Sequence, residues 1–219
     1  MNWDLDKVKS RIATNKRYGF LFRHSIRQNS TYLTRVELTI LYLEDRRFFI
    51  HRGIEFKSIL RGFRRAITRG RIGGMSTIDQ QVVRIALGRY ERSFSRKSRE
   101  LLLAYFLNFH CPKREIFDYY IHSAYLGYKM QGCEIAANKI FRINAASLND
   151  EQAAFVASLF PLPFPRSVWE VYSKHADFPF FRPQDIITLA RTIEPRWAER
   201  MEYRSKIAAG SYNFMPRSL

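Results

Sequence analysis

Acidic side chains are scarce in this sequence: 20 Asp and Glu stand against 37 Lys and Arg, a formal net charge of +17 over 219 residues. A surplus of that size asks for an anionic partner, and nucleic acid, an anionic membrane surface and phosphate-bearing substrates are the candidates. Cysteine is nearly absent. Cys111 and Cys133 form no CxxC pair and allow at most one bridge, which excludes a disulfide scaffold and a cysteine-based zinc module. Together with His110 and His122 they match no recognised zinc spacing. Long hydrophobic runs are missing as well. No stretch approaches the roughly 18 apolar residues that span a bilayer. The opening residues Met1 to Lys7 hold no apolar signal-peptide core, so the residues predict neither anchor nor export signal. With 10 Gly and 8 Pro the composition is not low-complexity. A Gly-x-Ser-x-Gly nucleophile setting, a period-2 strand pattern and an internal repeat are all lacking.

What is present is apolar material. Hydrophobic residues make up 46% and aromatics 15%, enough for a buried core and against whole-chain disorder. Residues 1–33 are basic with few periodic apolars and read as an arm or a loosely packed first helix. Thr34 is a plausible N-cap for a helix over about 35–51, closed by Gly53. Residues 54–72 mix Ile54, Phe56, Ile59, Leu60, Phe63 and Ile67 with five arginines between Arg61 and Arg71, the pattern of a basic amphipathic segment. Ser76 with Asp79 and Thr77 with Gln80 are overlapping capping signatures for a helix ending near Leu87. Further helices are predicted over Arg96–His110, over Lys113–Lys129, over about 133–141, and behind Ser147 and Asp150 up to the Pro161, Pro163, Pro165 run. One or two more follow Pro183, broken near Pro195, so the expected fold is mainly α.

Four local patterns carry chemistry. In Glu44-Asp45-Arg46-Arg47-Phe48-Phe49-Ile50-His51-Arg52-Gly53, a continuous helix would place Glu44, Phe48 and His51 on one face, and a carboxylate shielded by aromatic surface can serve as a general base. The plainer reading is a surface Glu and a core His. Gly73-Gly74-Met75-Ser76-Thr77-Ile78-Asp79-Gln80-Gln81 sets a glycine pair before a helix N-terminus, a place that favours anions or sugar hydroxyls, although an ordinary cap looks the same. In Arg96-Lys97-Ser98-Arg99-Glu100, two cations share a helical face with Glu100, as a surface salt bridge or as a diphosphate clamp. Lys113 to His122 reads as scaffold.

In order and spacing these residues resemble the peptidoglycan glycosyltransferases, the family 51 transglycosylase domain of penicillin-binding proteins and monofunctional transglycosylases. Residues 44–53 fit Glu-Asp-x-x-Phe-x-x-His-x-Gly, residues 74–81 fit Gly-x-Ser-Thr-Ile-x-Gln-Gln, and residues 96–100 fit Arg-Lys-x-x-Glu. The likeness covers about residues 34–165, followed by a divergent helical part over 166–219. It implies a lysozyme-like large lobe with a small membrane-associated lobe around 54–72. It implies polymerisation of lipid II into β-1,4 glycan strands with release of undecaprenyl diphosphate, at the outer face of the bacterial inner membrane. Glu44 would be the general base. Glu100 would lie near the departing diphosphate, acting directly or through a divalent cation (Mg or Mn), while Arg84, Arg92, Arg96 and Lys97 neutralise its charge and Ser76, Gln80 and Gln81 line the donor side. Implied partners are lipid II, the growing glycan, an anionic membrane and other cell-wall synthesis proteins, with no role for nucleic acid and no organic cofactor. Arg84 stands where the family usually has lysine, Asp118 and His122 replace a Glu and an Asn of the fourth motif, and the fifth motif has no clean counterpart. A lysozyme-like glycan-cleaving enzyme, and a catalytically impaired basic module that binds membrane or lipid-linked glycan, are the alternatives.

Overall fold

Local capping and apolar spacing set most element boundaries. A computed structural model describes residues 2–23, 33–55, 76–91 and 93–210, with side chains of the first helix described to residue 15. Its α-helices are α1 (Asn2–Arg23), α2 (Arg35–Glu44), α3 (Ile78–Leu87), α4 (Phe94–His110), α5 (Lys113–Ser123), α6 (Cys133–Phe141), α7 (Asp150–Ser158), α8 (Arg166–Tyr172), α9 (Pro183–Arg191) and α10 (Pro195–Ala209). Two short strands, β1 (Tyr125–Gly127) and β2 (Met130–Gln131), pair antiparallel between α5 and α6. The mainly α architecture expected from the sequence is thus observed. The expected small lobe falls, from residue 56 to its end, outside the described residues.

The chain divides into two units, Met1–Gln28 with Glu44–Tyr120, and Asn29–Leu43 with Ile121–Leu219. In the first, α1 packs on α3 and α4. Val8 and Ile12 of α1 are buried, as are Ile78, Val82 and Ala86 of α3, Leu103 and Leu107 of α4, and Ile116 and Phe117 of α5. The basic N-terminal stretch is therefore a docked helix at its start. Thr77 caps α3 by accepting from the Gln80 backbone N–H, and Gly88 ends it in the left-handed conformation. Of the two overlapping capping signatures the structure uses Thr77 with Gln80, not Ser76 with Asp79.

In the second unit, Thr34 and Glu37 form a reciprocal cap at the start of α2: the Glu37 carboxylate accepts from the Thr34 backbone N–H at 2.6 Å and Thr34 Oγ1 accepts from the Glu37 backbone N–H at 3.4 Å. α7, α9 and α10 pack together, and Phe155, Phe164, Trp169, Tyr172 and Trp197 join in edge-to-face and tilted ring contacts.

Three boundaries differ from expectation. The helix predicted to reach residue 51 stops at Glu44, because the Asp45 side chain leaves the helical path to bond tertiary partners described below. The helix predicted to reach Lys129 stops at Ser123 and gives way to the hairpin. There Gly127 (φ +150°) lies so close to Phe164 that a Cβ would approach its side chain to 2.7 Å, and the Phe164 backbone N–H donates to Leu126 O at 2.8 Å. The helix placed behind Ser147 and Asp150 starts from Asn149, which forms a capping box with Gln152. α8 had no counterpart among the predicted helices.

Candidate active site

All the described candidate residues lie in the first unit, on the end of α2, the turn that follows it, and the facing parts of α3, α4 and α5. Tight hydrogen bonds fold residues 45–51 into a turn, with Phe48 N donating to Asp45 O at 3.1 Å and Ile50 N to Arg47 O at 2.9 Å. Glu44, Phe48 and His51 therefore do not share a helical face. His51 meets Asp45 instead, Nε2 to Oδ2 at 2.9 Å, and stands edge-on to the Phe48 ring. The same Asp45 oxygen accepts from the Ile78 backbone N–H at 3.2 Å, tying the turn to the first turn of α3. Thr77 Oγ1 donates to Gly53 O at 2.8 Å. Gly53 (φ +79°) abuts α4, where a Cβ would fall 2.3 Å from Ala104 O, so this position demands glycine.

Glu44 is half-buried at this junction. Its Oε2 accepts from Gln81 Nε2 at 3.2 Å, while Gln81 Oε1 accepts from the Tyr120 hydroxyl at 2.8 Å. The Tyr120 bond orients the amide so that its N–H side faces Glu44. A carboxylate is thereby held by two intermediaries on α3 and α5.

Glu100 is almost wholly buried and accepts from three cations: Arg84 Nη2 at 2.7 Å, Lys97 Nζ at 3.2 Å, and Arg96. Lys97 also donates to Ser76 Oγ at 2.9 Å and Gln80 Oε1 at 2.6 Å. Burial pulls the Lys97 ammonium below its ordinary pKa, with Glu100 opposing that shift. One carboxylate against three cations leaves a local surplus of positive charge. A cavity of about 230 Å³ opens beside Glu100, lined by Arg84, Arg89, Arg96, Arg99, Ser93 and neighbouring apolar side chains. The structure thus gathers Ser76, Gln80, Arg84, Arg96, Lys97 and Glu100 into one bonded cluster, and Glu44 with Gln81 into another. Arg92 lies outside the described residues.

Sequence reasoning assigns no catalytic or binding role to Asp45, Asp79 or Lys113, and gives Asp79 only a capping one. Asp79 is fully buried; Lys113 Nζ donates to both its oxygens, at 3.0 and 2.8 Å, and Asn108 Nδ2 donates to Oδ1 at 2.9 Å. Burial pushes the Asp79 carboxyl above its ordinary range against the pull of Lys113, and pushes the Lys113 ammonium down. The Lys113 ammonium also sits 4.2 Å from the Phe48 ring centre. The available signal was a lysine and an aspartate in motif segments, each on a helix whose other face is apolar.

A divalent cation was implied for this site. Asp45, His51 and Asp79 offer three ligand atoms within 4.8 Å of one another. An ion there would have to displace the Lys113 ammonium that already holds both Asp79 oxygens. At Glu100 it would meet three resident cations. Neither set fits a divalent ion as the side chains stand.

Asp118, the residue shorter by one methylene than the family's Glu, pairs with Arg114 one turn earlier at 3.1 Å. None of the described helices is long and apolar enough to cross a membrane. Both cysteines are buried and free.

The transglycosylase family model matches residues 22–178. A biosynthetic peptidoglycan transglycosylase of Alcanivorax borkumensis is 35% identical over 137 residues, 62% of this chain and 55% of the relative. One from Cupriavidus pinatubonensis is 36% identical over 125 residues (57% and 50%), and one from Bordetella avium 31% over 157 residues (69% and 63%). The chain spans about half the length of the first two of these relatives.

Proposed function

The chain belongs to the transglycosylase family, and from that premise we propose that it is a peptidoglycan glycosyltransferase that polymerises lipid II. Glu44 is the general base. It takes the proton of the acceptor sugar's 4-hydroxyl as that oxygen attacks the anomeric carbon of the growing chain. The bond from that carbon to the diphosphate breaks with inversion, and its electron pair leaves on undecaprenyl diphosphate. The observation that carries this reading is the pairing of two differently held carboxylates. Glu44 is steered by an oriented amide, whereas Glu100 is saturated by cations.

Glu100 acts here as the anchor that fixes Arg84, Arg96 and Lys97, whose surplus charge receives the leaving diphosphate, with Arg92 as a further cation. At 4 Å and an effective dielectric near 20, each such charge pair is worth about 4 kcal/mol, and fixed cations need no reorganisation as charge develops. Ser76, Gln80 and Gln81 line the donor side. The same reading makes the natural surroundings a bacterial cell-wall assembly at an anionic membrane, with residues 34–165 as the transglycosylase domain and the small lobe at 54–72.

The test is incubation of the purified protein and of its Glu44→Gln variant with labelled lipid II in detergent, reading chain growth on a gel. Polymer from the wild type, and a loss of about 10²–10⁴-fold in the variant at unchanged thermal stability, supports the assignment. A variant that keeps the wild-type rate removes Glu44 from the base role. Release of reducing ends from purified sacculi would turn the reading to a glycan-cleaving enzyme.

A further inference from the structure

Asp4, in the first turn of α1, is fully buried, yet its carboxylate pairs with two arginines from different elements: Arg89 at 3.7 Å, just past α3, and Arg99 on α4. One buried charge thereby staples three element ends together. It also sits well at the positive end of the α1 dipole. The aromatic residues carried by these same ends are left in solvent: Trp3 is 69% exposed, Tyr90 64% and Phe94 98%. Exposed rings on a staple this costly to build are not leftovers of poor packing, since the neighbouring Val8, Ile12 and Leu103 are all buried.

We propose that this face of the first unit, the N-terminal turn of α1 with the α3–α4 connection and the first turn of α4, docks onto an anionic lipid surface. Single aromatic side chains separated by cations are the composition of a water–lipid interface, where rings enter the headgroup layer and Lys and Arg stay with phosphates. Protein interfaces instead deplete charge at their centre. Here Lys7 lies 5.2 Å from the Trp3 ring centre, and Arg89 and Arg99 flank Tyr90 and Phe94 in sequence. On this face Lys7, Arg89 and Arg99 outnumber Asp4 and the exposed Glu91, and charge complementarity thereby selects anionic over neutral lipid. Arg89 and Arg99 also line the cavity beside Glu100. Docking this face would bring that cavity to the depth of lipid phosphates. None of the residues of this surface belongs to the amphipathic segment at 54–72 of the sequence, and the inference does not depend on any transfer reaction.

The experiment uses vesicles without substrate. The full chain is titrated with phosphatidylcholine vesicles and with mixed phosphatidylglycerol–phosphatidylcholine vesicles, the latter also prepared with brominated acyl chains that quench nearby tryptophan emission. We expect binding to the anionic vesicles, quenching that largely disappears in Trp3→Phe, and a loss of affinity of about tenfold in the triple variant Trp3→Ser, Tyr90→Ser, Phe94→Ser. All three positions are exposed, so unchanged circular dichroism is expected. Quenching equal in wild type and Trp3→Phe, or a triple variant that binds as tightly as wild type, overturns the proposal and moves vesicle binding to another part of the chain. Self-association of the wild type that the triple variant abolishes, without Trp3 quenching, would make the face a protein contact and overturn it too.

Discussion

The two units bury polar groups in opposite ways. Among the described residues, the first unit buries six carboxylates, Asp4, Asp45, Glu55, Asp79, Glu100 and Asp118, and the second only Glu37. Each of the six meets a cationic or imidazole partner. Glu37 serves as a helix cap. The second unit relies on rings and small residues, with Tyr172 donating to Ile140 O at 2.7 Å and its phenol pushed up to about 12 by burial. Burying paired charge is seldom the cheapest route to stability, because desolvation offsets most of the Coulomb attraction. A unit that does so repeatedly is shaped by chemistry, and the candidate site lies in that unit.

The largest effect expected from breaking this contrast is on rate. Glu100→Gln leaves Arg84, Arg96 and Lys97 without their shared anchor and should lower chain growth by about 10²–10³-fold, measured with labelled lipid II. Gln152→Ala, at a buried cap of the second unit, should change thermal stability and leave the rate per folded molecule unaltered. Next comes stability. Lys113→Met strands Asp79 in the interior and should cost about 3–5 kcal/mol in a denaturant titration, whereas Asp79→Asn combined with Lys113→Met should recover much of the loss.

A smaller effect is expected with pH. Burial raises the folded-state pKa of Asp79 above the ordinary carboxylate value. The folded state then binds the proton more tightly than the unfolded chain, so this group's stabilising contribution is complete below that value and is lost as pH rises through the folded-state pKa. The stability of wild type relative to Asp79→Asn should therefore increase as pH is lowered from neutrality toward the ordinary carboxylate range, read from paired melting curves. Tyr172→Phe removes two hydrogen bonds, the one donated to Ile140 O and the one accepted from the Phe180 backbone N–H, and should cost about 2 kcal/mol. A larger penalty would show that the second unit also leans on polar anchors.

Periodicity and capping made most helices legible: Thr77 and Gly88 bracket α3, and the proline positions mark the starts of α9 and α10. The motif residues were legible as a group, because Lys97 and Glu100 are one turn apart and Arg84 falls on a neighbouring capped helix. The turn at 45–53 was not. Apolar spacing through Phe48 and Phe49 continues the helical pattern, while the bond from Ile78 N to Asp45 that breaks it spans 33 residues. The hairpin at 125–131 was hidden for a similar reason, since Gly127 answers to Phe164.

Length-local physics, then, was settled by the residue order alone: where helices start, which faces are apolar, and that cations cluster around one glutamate. Which carboxylate meets which partner was decided by tertiary structure. His51 takes Asp45 rather than Glu44, Asp79 takes Lys113 rather than a cap, and Asp4 reaches two arginines far along the chain. A charge in water is nearly indifferent to its neighbours, and only removal from water by packing makes the choice of partner worth several kcal/mol.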